Sequence, residues 1–188
     1  MPLRSTETRY GSVAIALHWL TALAIALVFI AGFTAANTTD PARLPQILAV
    51  HIGLGVLVVA LTLLRILWWL AVDRRPAAID GQPGWQEALA WIVHRAMYLV
   101  ILLMGTSGIT TLIISGAVPH LIAGEPLPDF STLVPRIGHG IMARLLLGLL
   151  GLHIGAALYH QFVRGDHLLA RMGIGGDAAT SAGLRKAR

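Results

Sequence analysis

The chain has 188 residues, of which 56% are hydrophobic and only 12% charged; its net charge is +5 and it has no cysteine. Soluble domains carry roughly a quarter charged residues, so this composition excludes an ordinary water-soluble enzyme. Absence of cysteine excludes thiolate-held iron–sulfur clusters, thiol redox chemistry and disulfides.

Four apolar runs follow one another, at about 13–36, 47–72, 88–114 and 137–163. Each exceeds the roughly 20 residues that cross the hydrocarbon core. They predict an all-α membrane protein, a four-transmembrane-helix bundle running up-down-up-down. One membrane domain over 1–173 and a flexible basic tail over 174–188 account for the whole chain.

The first run follows Arg4 and Arg9 and ends near small residues, as a secretory signal does. It is longer than a signal's apolar core and reads as the first span. The 37–46 connection is short and rich in turn formers, so the first two spans are antiparallel neighbours. The second run ends in Arg65, Arg74 and Arg75, and Arg95 opens the third. The 115–135 connection holds Pro119, Pro126, Pro128 and Pro135; its length favours a functional cap over a bare link. Arg164, Arg171, Arg185, Lys186 and Arg188 lie at or beyond the end of the fourth run, whereas the other two loops carry only Arg43 and Arg136. The positive-inside rule then places both termini and the middle loop in the cytoplasm. Topology explains the basic charge, so no nucleic-acid partner is expected. No internal repeat is evident.

Histidines mark the ends of the runs. His18 and His153 lie at the cytoplasmic depth, His51 and His139 at the outer depth. An unpaired polar group in lipid is costly, so the depths suggest two pairs: His18 with His153, and His51 with His139. His139 and His153 are 14 residues apart on one helix. That is close to four turns, so they share a face about 21 Å apart along the axis. This spacing suits two stacked macrocycles and is far too long for a dinuclear metal site, whose ions lie about 4 Å apart. Paired imidazoles are good axial ligands for haem iron, whereas structural zinc generally takes four protein ligands. Without a C-x-x-C-H motif any haem is non-covalent. Ligation on both sides leaves iron no open position for oxygen, which favours electron transfer.

Small residues near these histidines, Gly32, Gly53, Gly55, Gly138, Gly140, Gly148, Gly151 and Gly155, either clear room for flat cofactors or pack helices closely. Arg65 is 14 residues after His51; it either meets an acidic substituent of the inner cofactor or snorkels to the interface. Arg144, inside the fourth run and off the histidine face, has no evident partner. His160 and His94 are candidates for a quinone carbonyl or a proton relay, or are ordinary interfacial histidines. His120 and His167 fall in polar ends.

Several stretches carry a resemblance: Ile15-Ala16-Leu17-His18-Trp19-Leu20, His51-Ile52-Gly53-Leu54-Gly55, Ile137-Gly138-His139, Gly151-Leu152-His153, Ala157-Leu158-Tyr159-His160 and Leu168-Leu169-Ala170-Arg171-Met172. In this order the chain resembles the bacterial di-haem cytochrome b561 family over nearly its whole length. The resemblance implies two b-type haems in the bacterial inner membrane, one held by His18 and His153 and one by His51 and His139. For stand-alone members of this length it implies superoxide oxidation with ubiquinone as acceptor, and it makes His160 a quinone contact. In the outer loops Arg43 and Arg136 stand against Asp40, Glu125 and Asp129, a slightly negative balance that does not steer a superoxide anion inward. An alternative is a cytochrome b subunit relaying electrons between a periplasmic dehydrogenase or hydrogenase and the quinone pool. A histidine-based metal or proton transporter is a different class; it would need acidic residues in mid-membrane, and the runs hold none there.

Overall fold

The computed structural model describes residues 1–77 and 81–175. Most of the expected basic tail lies outside the described residues. The elements are α1 (Ser12–Asn37), α2 (Leu44–Ala71), α3 (Gly84–Ser115), α4 (Ala117–Ala123), α5 (Val134–Leu158), a π-helical extension of α5 (Tyr159–Arg164) and α6 (Leu168–Arg171). Among the described residues the protein is all-helical, with four helices long and apolar enough to cross a membrane: α1, α2, α3 and the α5 span Val134–Arg164.

The helices outrun the apolar windows where polar or proline residues still favour helix. Pro45 and Pro135 sit in the first turns of α2 and α5, where the missing N–H is no loss. Glu87 lies in the first turn of α3, where a carboxylate complements the helix dipole. The proline-rich connection is not a bare loop. Gly116 (φ 66°) takes a left-handed turn that ends α3 and starts α4. Pro119 falls in the first turn of α4 and so does not break it.

Polar groups inside the spans are satisfied locally. The hydroxyls of Thr21, Thr62, Thr106, Thr110 and Thr111 each donate to the carbonyl four residues back, as a lipid environment demands. Leucines and isoleucines such as Leu20, Leu57, Leu64, Ile109 and Leu152 face outward. The core is Ala24, Ile25, Val58, Val93, Met97, Val100, Ile101 and Leu146.

α1 packs on α2 and α5 packs on α3, with α2 against α3 between the two hairpins. The α5 backbone makes no comparable approach to α1 or α2. One end of the bundle carries α4; the other carries the N-terminal arm and α6. At the α6 end the arm is tied down. The Ser5 N–H and hydroxyl donate to the Asp73 carboxylate, as does the Trp68 indole N–H. Arg171 donates to the carbonyls of Thr8 and Ala77, and the Trp19 indole N–H donates to Met172 O at 3.0 Å. Gly11 lies so close under the Leu3 and Arg4 backbone that any Cβ would collide.

Candidate functional site

The structure brings the histidines together in two layers. Near the α4 end, the rings of His51 (α2) and His139 (α5) have centroids 6.0 Å apart. Near the α6 end, His18 (α1) and His153 (α5) are 6.1 Å apart. His94 (α3) joins this second layer, its ring 4.9 Å from that of His153. Among the described residues no group of three or more His, Cys, Asp or Glu side chains is arranged to hold a metal ion; each layer offers a facing pair.

The α4-end pair is fixed by the same device on both sides. His51 Nδ1 lies 3.0 Å from Val28 O on α1, and His139 Nδ1 lies 3.1 Å from Met104 O on α3. Donation from Nδ1 to these carbonyls leaves each Nε2 with its lone pair free to ligate. Ser107 adds a hydroxyl 3.1 Å from His139 Nδ1. Four residues after each accepting carbonyl comes a glycine, Gly32 or Gly108, with the histidine ring lying over it.

Glycine usage differs from the expectation of cofactor clearance. Gly32 makes room for the His51 ring itself. Gly148, Gly151 and Gly155 lie about 120–180° around α5 from His139, at 3.6 residues per turn, so they face away from both pairs. Gly55, one turn beyond His51, meets nothing else within 4 Å and is the glycine best placed beside an imidazole pair.

The spacings expose a repeat that the sequence hid. On α1, Gly32 follows His18 by 14 residues; on α3, Gly108 follows His94 by 14. On α2, Arg65 follows His51 by 14; on α5, His153 follows His139 by 14. The α1–α2 hairpin therefore repeats in α3 and α5. Midway along each step lies a core residue: Ile25, Val58, Ile101 and Leu146, all buried. They form an apolar floor between the two layers. Too few positions match for the repeat to stand out in the sequence.

Arg65 reaches the α6-end layer. Its guanidinium lies 5.6 Å from the Tyr98 ring centroid and bears electrostatically on His18, His94 and His153. Its Nε, like Nδ1 of His18, is buried without a hydrogen-bond partner among the described residues. A buried guanidinium Nε without an acceptor fits a group that brings an acid. At the other layer Arg136 bears on His51 and His139, while Arg43 is occupied by Asp40 at 3.3 Å. Of these two arginines at the α4 end, the structure thus places Arg136 near the pair.

His160 sits elsewhere, in the π-helical turn and buried. Its Nδ1 is bonded to the Asp166 carboxylate, which Arg164 approaches at 3.8 Å. Asp166 was not legible as a site residue; its only sequence mark is standing six residues after His160. His120 pairs with Glu125 at 3.3 Å. Arg144 turns back along its own helix to donate to Gly140 O.

Residues 9–175 match the family model described as prokaryotic cytochrome b561. The chain belongs to the prokaryotic cytochrome b561 family. It is similar to cytochrome b561 homolog 1 of Escherichia coli K12, at 25% identity over 87% of this chain and 96% of that protein. It is similar to the probable superoxide oxidase CybB of Yersinia pestis, at 26% identity over 87% and 95%. Cytochrome b561 homolog 2 of E. coli K12 is 25% identical over 92% and 95%. As a cytochrome b561 the chain is a multi-pass membrane electron-transfer protein that uses haem b. The facing histidines fit that group in donor chemistry and in the distance between rings, and His51 and His139 also in their free Nε2 atoms.

Proposed function

We propose that this cytochrome b561 holds two b-type haems, one between His51 and His139 and one between His18 and His153. We further propose that it oxidises superoxide at its outer face and reduces ubiquinone. In this reading it lies in the bacterial inner membrane with the α6 end and both termini in the cytoplasm, as its basic loops favour. The observation that carries the reading is the pair of cross-bundle imidazole pairs on one face of α5, 14 residues apart.

When bound, haem supplies one-electron redox chemistry. The chain's own residues do the rest. Val28 and Met104 hold the His51 and His139 rings in one tautomer. Ile25, Val58, Ile101 and Leu146 keep water from the space between the layers. Arg65 offers its buried Nε to an acidic substituent at the inner site. Two superoxide ions each lose one electron to become dioxygen, and one quinone gains two electrons and two protons. With His160 Nδ1 committed to Asp166, Nε2 is the atom from which His160 passes a proton to quinone. His94 packs on His153 and is the nearer of the two quinone candidates to the inner pair.

Haem quantification and superoxide-driven ubiquinone reduction by the purified chain alone test this reading. Two haems per chain with turnover support it. No haem sinks it. Two haems with no turnover favour a subunit that relays electrons from a periplasmic dehydrogenase or hydrogenase.

A further inference from the structure

Arg144 is the least comfortable residue of the bundle. It stands ten residues into α5, is exposed, and lies about 160° around the helix from buried Leu146. It therefore faces lipid, where an unpaired guanidinium is costly. Among the described residues neither Arg144 nor Arg136 forms an ion pair with a carboxylate.

The two side chains converge. Arg136, Gly140 and Arg144 follow one another at one-turn spacing. The Arg144 guanidinium folds toward the α4 end and donates Nη1 to Gly140 O at 3.1 Å. Arg136 reaches the same glycine from the other side. A Cβ on Gly140 would lie 3.4 Å from Arg136 Nη1 and 3.7 Å from Arg144 Nη1. Two planar forks thus flank a bare backbone notch, an arrangement matched to a tetrahedral oxyanion.

Below the notch the same face continues as Gly148, Gly151 and Gly155, all exposed and with nothing within 4 Å of where a Cβ would stand. Ile137, Ile141, Leu145 and Leu152 flank this strip and are also exposed. A charged notch opening into an apolar groove along the membrane axis has the shape of one phospholipid, head above and acyl chain below.

We propose that Arg136, Gly140 and Arg144 form a binding site for the phosphodiester of an anionic membrane phospholipid in the leaflet at the α4 end, with one acyl chain lying along Gly148, Gly151 and Gly155. The lipid supplies the anion that Arg144 lacks. Through Arg136 it also stands beside the His51–His139 layer.

The test uses the full chain with its haem, purified in mild detergent. Three probes are added separately: short-chain phosphatidylglycerol, phosphatidylcholine and inorganic phosphate. Retained adducts are read by native mass spectrometry and haem content by absorption. The wild type is expected to retain phosphatidylglycerol at least tenfold better than R144Q, and better than phosphatidylcholine. G148L, which fills the groove and leaves both arginines, is expected to weaken retention as well, with haem content unchanged in both variants. Equal phosphatidylglycerol retention by wild type and R144Q overturns the proposal. So does retention of inorganic phosphate as strong as that of the lipid, which marks a free-anion site. Loss of haem from R144Q also overturns it, because the arginine would then serve the cofactor.

Discussion

Gly108 stands to His139 as Gly32 stands to His51: each glycine lies under the imidazole of the neighbouring helix, and each ring is tethered to the carbonyl four residues before that glycine. The two contacts differ in tightness. A Cβ on Gly32 would come within 2.9 Å of His51 Cε1 and 3.1 Å of Nδ1, whereas a Cβ on Gly108 would lie 3.6 Å from His139 Cε1. The first displaces the ring; the second is ordinary contact. With one haem proposed at each pair, Gly32→Ala is therefore expected to disturb the one at the α4 end, seen as loss or a spectral shift of about half the haem absorption. Gly108→Ala is expected to leave it in place. Equal behaviour of the two variants would contradict this asymmetry.

Much of this site was legible in the sequence because it rests on periodicity. Depth and helical phase alone put His18 near His153 and His51 near His139. The 14-residue steps from His51 to Arg65 and from His139 to His153 could be counted. The matching step from His94 to Gly108 was equally countable, but it acquires meaning only once α3 is seen to repeat α1. What periodicity cannot supply is the partner across space. The Val28 and Met104 carbonyls carry no side-chain mark, and the Ser5–Asp73 and Arg171–Ala77 bonds join distant segments. Nor did hydropathy reveal α4, a helix of seven residues.

Under the proposal of one haem per histidine pair, the layers predict separable haems. His139→Ala should remove about half the bound haem and spare the pair at the α6 end; His18→Ala should do the converse. Haem per chain and low-temperature absorption spectra check this. If either substitution empties both sites, the layers are not independent.

Leu146 lies seven residues from His139 and seven from His153, and is 3% exposed. Leu146→Ala leaves a cavity in the floor between the layers. A buried leucine truncated to alanine costs about 2–5 kcal/mol, so thermal unfolding should come several degrees earlier. Haem content should remain that of the wild type, since no ligand is touched. An unchanged unfolding temperature would mean that the floor is not packed as described.

Asp73 anchors the N-terminal arm. Burial alone would raise its pKa, but hydrogen bonds from Ser5, Trp68 and the Arg74 N–H hold it below the ordinary carboxylate value. A carboxyl whose folded pKa is depressed stabilises above its unfolded pKa and loses that contribution as pH falls through the folded one. The arm should therefore loosen only in acid, below about pH 4, while Asp73→Asn loosens it at neutral pH by about 1.5–3 kcal/mol. Limited proteolysis or hydrogen exchange of residues 1–11 across pH reads this. A wild-type arm equally protected at pH 3 and pH 7 would rule it out.

His160 lies in a π-helical turn, a deviation that often marks functional sites, and bonds to Asp166 two residues past the end of that turn. Neither residue touches the two facing pairs, so His160→Ala and Asp166→Asn should keep the wild-type haem content and spectrum. Under the quinone assignment, His160→Ala should slow ubiquinone reduction by 10²-fold or more, the scale of a lost proton donor. Asp166→Asn should slow it less, because it keeps the imidazole and removes only the group that orients Nδ1. The decisive measurement is the pair of rates at equal haem content. If Asp166→Asn is slow and His160→Ala is not, the carboxylate rather than the imidazole handles the proton, because only the aspartate then remains able to carry it.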